Sequence, residues 1–209
     1  MKLFHLFIFG LFLIRLESAE VAANKTKSGF ILKSSVVAEG AAIPIEFTGD
    51  GAGISPPIEW KGAPAQTKSY VVIMHHFPHE GDPARWYWTL YNIPANVTTL
   101  PKGVKGVGVN GTNCVGPELA YAPPHSKGPG VKKYTITVYA LSEAPKISVP
   151  AKQVNRDTLL AAIKGITLAQ AELNFTYDRT GVVGADASSD SRSSKPKRDS
   201  AKPNAPAGQ

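Results

Sequence analysis

Four histidines stand where they could share one piece of chemistry: His75, His76 and His79 in one short stretch, and His125 in another. An imidazole donates a hydrogen bond when neutral and gains a charge below about pH 6.5, so such a group suits an anion or a polar ligand. Lys132 or Lys133, with Tyr87, Tyr121 and Pro123, would complete a binding wall, and Asp50 would support it. The same imidazoles also suit a divalent transition metal, with His76, His79 and His125 as ligands and Asp82 or Glu80 adding oxygen. In that case His76 and His125 must converge in space. His75 and His76 are neighbours on a β-prone run, so they point to opposite faces and would not both be ligands. The third reading makes all four histidines hydrogen-bonded loop residues.

Enzyme chemistry has little support by comparison. No Ser-His-Asp or Cys-His pattern and no nucleophile elbow is visible. The one enzymatic alternative is metal-dependent hydrolysis with Glu80 as the general base. The lone cysteine, Cys114, cannot form an internal disulfide, so the core alone must hold the fold.

The elements that must carry these side chains read mainly as strands. Tyr70, Val72 and Met74 alternate with Val71 and Ile73, and both sets are apolar, as in a strand covered on both faces. Residues 85–93 are aromatic and β-prone, Tyr134, Ile136 and Val138 alternate with threonines, and 173–178 alternate cleanly. Ile43 to Phe47 reads as a further short strand. One segment breaks the period of two. Asn155 to Gly165 has an N-cap, an acid in the first turn and a closing glycine, which predicts a short helix. The expected class is therefore mainly β, an antiparallel two-sheet sandwich with a short C-terminal helix.

Both ends differ from this middle. Residues 1–23 have the charged start, the 12-residue apolar run Leu3 to Ile14 and the small residues of a signal peptide. The run falls short of the roughly 20 residues of a membrane span, so the expected protein is exported, periplasmic or secreted, without a transmembrane anchor after cleavage. Residues 180–209 are rich in Ser, Ala, Lys and Pro and read as a disordered basic tail. The net charge of +7 invites anionic partners, but no nucleic-acid-binding signature accompanies it.

Three segments give the folded region, residues 28–179, a family resemblance. They are Phe47-Thr-Gly-Asp-Gly-Ala-Gly-Ile-Ser-Pro-Pro57 followed by Trp60, then Leu90-Tyr-Asn-Ile-Pro-Ala95, then Tyr121-Ala-Pro-Pro124 leading to Tyr134-Thr-Ile-Thr-Val-Tyr-Ala-Leu141. Together they resemble the phosphatidylethanolamine-binding family in its bacterial Raf kinase inhibitor-like branch. The resemblance implies the sandwich, a pocket at one end for small anionic groups such as phosphate esters, and modulation of protein partners, here an exported one. It also exposes departures. The family's Asp-Pro-Asp-x-Pro loop is replaced by the stretch from His75 to Asp82, its His-Trp pair by Tyr87-Trp88, and its His-Arg-Tyr by Lys132-Lys133-Tyr134. The chain thus reads as a binding module with a histidine-rich pocket.

Overall fold

A computed structural model describes residues 29–179, apart from 127 and 129. The expected signal peptide and tail lie outside the described residues.

Strand β3 (Ser69–His76) is the centre of the molecule. It pairs antiparallel on one side with β4 (Arg85–Pro94) and on the other with β7 (Lys132–Leu141). The short β6 (Val109–Asn110) extends the sheet beyond β4, and β8 (Thr167–Tyr177) closes it beyond β7. A second antiparallel sheet has β2 (Ile58–Lys61) between β1 (Ile31–Lys33) and β5 (Thr99–Leu100).

The alternation along β3 explains the layering. Tyr70, Val72 and Met74 face the three-stranded sheet and meet Trp60, Ile58, Ile136, Leu173 and Phe175 in the main core. Val71 and Ile73 face the other way and are covered by Leu159 and Ile163 of helix α1 (Arg156–Ile163). Both apolar faces of the strand are therefore buried, as its sequence predicts. Helix α1 starts where expected: the Asn155 side chain accepts the Thr158 N–H at 2.8 Å. It ends before Gly165, whose φ of 86° suits glycine.

The segment Ile43 to Phe47 is not a strand. Ile45–Phe47 is a 3-10 turn, and the Phe47 N–H donates to the Pro44 carbonyl at 3.0 Å. Pro44 has a fixed φ near the value a turn start needs, and this local geometry overrides the β propensity of two isoleucines. The turn matters to function because it delivers Thr48, Gly49 and Asp50 to one end of the sandwich.

Strand β4 carries two irregularities that bear on the site. Met74 pairs with Trp88, and His75 pairs with Trp86, so Tyr87 is an extra, bulged residue. The bulge turns Tyr87 and Trp88 toward the same core. A second shift lies where Val72 pairs with Leu90 and Tyr70 with Ile93; Asn92 takes a φ of 55° there.

Candidate ligand-binding site

The end of β3 builds the site. His76, its last residue, pairs with Arg85 at the start of β4 and with Tyr134 near the start of β7. Beyond these strand ends lies a cavity of about 420 Å³. Its walls come from three sources. The strands give His76, Arg85, Tyr87 and Lys132; the loop after β3 gives Pro78 and His79; Val115, Pro123, His125 and Ser126 come from the long segment before β7. Among the described residues the lining contains two cationic side chains, three imidazoles, a phenol and a serine, and no carboxylate.

His76 is buried, and its ring stacks on Tyr134 at a centroid distance of 5.0 Å. Its Nδ1 lies 2.8 Å from the Lys133 carbonyl oxygen. A carbonyl only accepts, so Nδ1 carries the proton in that bond. Burial pushes the His76 pKa down; the bond to the Lys133 carbonyl opposes this, and the charges of Lys132, Arg85 and His79 add to it. His76 is thus a neutral imidazole with an orientation fixed by the backbone of β7.

His125 is held differently. Its Nε2 lies 3.0 Å from Asp50 Oδ1. The same carboxylate accepts the Tyr177 hydroxyl at Oδ2 and the Arg179 Nε–H at 3.1 Å. Burial alone would raise the Asp50 pKa, but hydrogen bonds from Tyr177 and His125 and the charge of Arg179 outweigh it and hold it below the usual aspartate value. Asp50 is therefore an acceptor only, and Nε2 of His125 must donate to it. The Tyr177 phenol is pushed up to about 12, by burial first and then by that carboxylate.

Tyrosines support the cavity from beneath. Tyr87 packs edge-on against Tyr134, which stacks in turn on Phe175. Tyr121 donates its hydroxyl to the Phe47 carbonyl at 2.7 Å and meets Trp88 edge-on. Burial raises the pKa of all three phenols, so they remain neutral at physiological pH.

The structure sorts the residues singled out from sequence. His76, Tyr87, Pro123, His125 and Lys132 line the cavity together. Asp50 and Tyr121 do not line it and act from behind, through His125 and Phe47 respectively. His75 is a correction: it lies on the opposite face of β3 and is no part of the cavity wall. The period of two along a strand requires this. His75 meets Phe77 edge-on, and its Nδ1 is buried with no hydrogen-bond partner among the described residues.

The metal reading involves the same imidazoles. His76, His79 and His125 line one cavity, but among the described residues no three His, Cys, Asp or Glu side chains gather into a group that could hold an ion. One nitrogen of His76 is committed to a carbonyl, and one of His125 to Asp50. Such bonds leave the other ring nitrogen of each imidazole open, as in metal-bound histidines, and no chemistry is derived through a metal.

Sequence reasoning missed Arg85, Tyr177 and Arg179. Arg85 had a readable signal, a cation opening an aromatic strand after the histidine loop. The other two had none, because Tyr177 is 127 positions from its partner Asp50.

The two-sheet fold with a cavity beyond the ends of β3, β4 and β7 defines a class of sandwich-type binding proteins. Comparison with known proteins narrows it. The profile of the phosphatidylethanolamine-binding protein family matches residues 33–178. A protein of Chlamydia trachomatis named UPF0098 protein is 32% identical over 153 residues, covering 71% of this chain and 98% of its own length. A UPF0098 protein of Methanothermobacter thermautotrophicus is 31% identical over 154 residues, covering 71% and 98%. Among solved structures, a Chlamydia trachomatis protein described as a phosphatidylethanolamine-binding protein homologue superposes with a TM-score of 0.64 at 30% identity, over 71% of this chain and 97% of that one. Escherichia coli YbcL, described as a new member of the mammalian family, superposes at 0.63 with 26% identity, over 71% and 98%. The chain belongs to the phosphatidylethanolamine-binding protein family.

Proposed function

We propose that this protein is an exported binding module whose cavity takes a small anionic or polar ligand of the phosphate-ester class. One observation carries the reading: Arg85 and Lys132 face a cavity of about 420 Å³ that has no carboxylate in its wall among the described residues. Two positive charges in a partly desolvated concavity attract an anion, and the imidazoles and Tyr87 offer hydrogen bonds that fix its orientation. The volume is at the small end of the usual range for ligand pockets, which suits a head group or a small ester better than a long chain. The neutral His76 and the clamped His125 give the site a preformed shape. Export rests on the signal-like pattern of residues 1–23. Among the described residues no helix is long and apolar enough to cross a membrane.

Native mass spectrometry of the untagged protein, purified from the export compartment, tests this. The expected result is an added mass of an organic anion or phosphate that is lost in a variant carrying both Arg85→Ala and Lys132→Ala. A metal-ion mass, or an anion mass that persists in the double variant, would overturn the reading.

A further inference from the structure

Asp50 joins parts of the chain that the cavity wall does not explain. Its carboxylate is 10% exposed and takes three donors at once: His125, Tyr177 and Arg179. Three segments meet there. The turn after Phe47 brings Asp50, the loop before β7 brings His125, and the end of β8 brings Tyr177 and Arg179. The first two are tied by their backbones as well, since the Gly49 N–H donates to the Pro124 carbonyl at 2.9 Å. The His125 ring lies so close over Gly49 that an added Cβ would come within 2.4 Å of it.

Exposure grades along this chain of contacts. Tyr177 is buried, Arg179 is 27% exposed at its side chain, and His125 is 38% exposed and reaches the cavity. His125 is thus the only one of the four that lines the cavity, and its ring is fixed on two sides, by a carboxylate and by glycine backbone. A carboxylate with a single partner can follow that partner as it moves. One gripped by Tyr177 and Arg179 cannot, so Asp50 holds the imidazole at a set place and a set tautomer.

We propose that Arg179 and Tyr177 are positioning residues for ligand binding: they fix Asp50, which presents His125 to the ligand. Neither touches the cavity. This rests on the anion-binding reading above. It differs from a purely structural ion pair in one respect. The influence of Arg179 on binding must pass through His125.

A double-mutant cycle on the full chain tests that dependence, with inorganic phosphate as the probe at constant ionic strength. Arg179→Ala should weaken phosphate binding roughly tenfold, as expected for loss of one charge-assisted hydrogen bond. Arg179→Lys, which keeps the charge near Asp50, should restore much of the loss. In a His125→Ala background the Arg179→Ala change should add nothing. The His125 ring signals in the NMR spectrum of ligand-free protein should shift in Arg179→Ala while the core resonances stay in place. An equal loss of affinity in both backgrounds, or unmoved His125 signals, would overturn the proposal. If the wild-type chain binds no phosphate, the anion reading fails, and the His125 signals alone still decide whether Arg179 positions the ring.

Discussion

Lowering the pH from about 7.5 to about 4 should charge His75 and weaken the fold. His75 sits on the α1 side of β3 with Nδ1 buried and unpartnered among the described residues, and burial pushes its pKa from 6.5 down to about 4, with the charge of Arg156, and that of His76 once it too is protonated, adding to the effect. The sign follows from proton counting. The unfolded chain takes up a proton near 6.5 and the folded chain resists until about 4, so the unfolded state binds more protons between these values. Stability due to neutral His75 is fully present above the unfolded value and is lost as the pH falls toward the folded one. At about 1.4 kcal/mol per pH unit, the whole gap is worth roughly 3 kcal/mol, of which about 2 is gone by about pH 5. Urea unfolding of wild type and His75→Gln at several pH values separates this from other titrations, since Asp50 and His76 are common to both. The wild type should lose about 2 kcal/mol more than the variant between about pH 7.5 and 5. Parallel loss in the two proteins would refute the reasoning, because it would show that His75 is solvated or paired in the folded state.

Other changes test the neighbourhood of the cavity and the fold. Gly49→Ala puts a Cβ 2.4 Å from Cγ and 2.5 Å from Cβ of His125, so the residue and its loop must shift; anion affinity should fall several-fold and the melting temperature should fall with it, which titration calorimetry and thermal unfolding would show. Asn155→Ala removes the side-chain acceptor for the Thr158 N–H; unfolding free energy should drop by about 1 kcal/mol, with phosphate binding unchanged.

Much of the scaffold was legible because its signals are local. The alternation from Tyr70 to Met74 fixed both faces of β3, and that same alternation separates His75 from His76. The caps of α1 were visible as Asn155 and Gly165. What escaped the sequence has non-local or sub-period causes. The bulge at Tyr87 breaks the period of two, so Tyr87 and Trp88 share a face that alternation would have split. Pro44 turns an apolar run into a 3-10 turn. The grip of Tyr177 and Arg179 on Asp50 depends on the closure of β8 against the sheet, which no spacing within the chain announces. Grouping the histidines by sequence proximity therefore admitted His75 to the site and left out Arg85.

On the proposed function, the cations at the starts of β4 and β7 make this cavity an anion site. Calorimetric titration of inorganic phosphate into the wild-type chain and into the Arg85→Ala, Lys132→Ala double variant addresses it most directly. The expected result is saturable one-to-one binding that weakens as salt rises and falls at least tenfold in the double variant, about 1.4 kcal/mol. Equal affinity in the two proteins, or no heat of binding in the wild type, would contradict it.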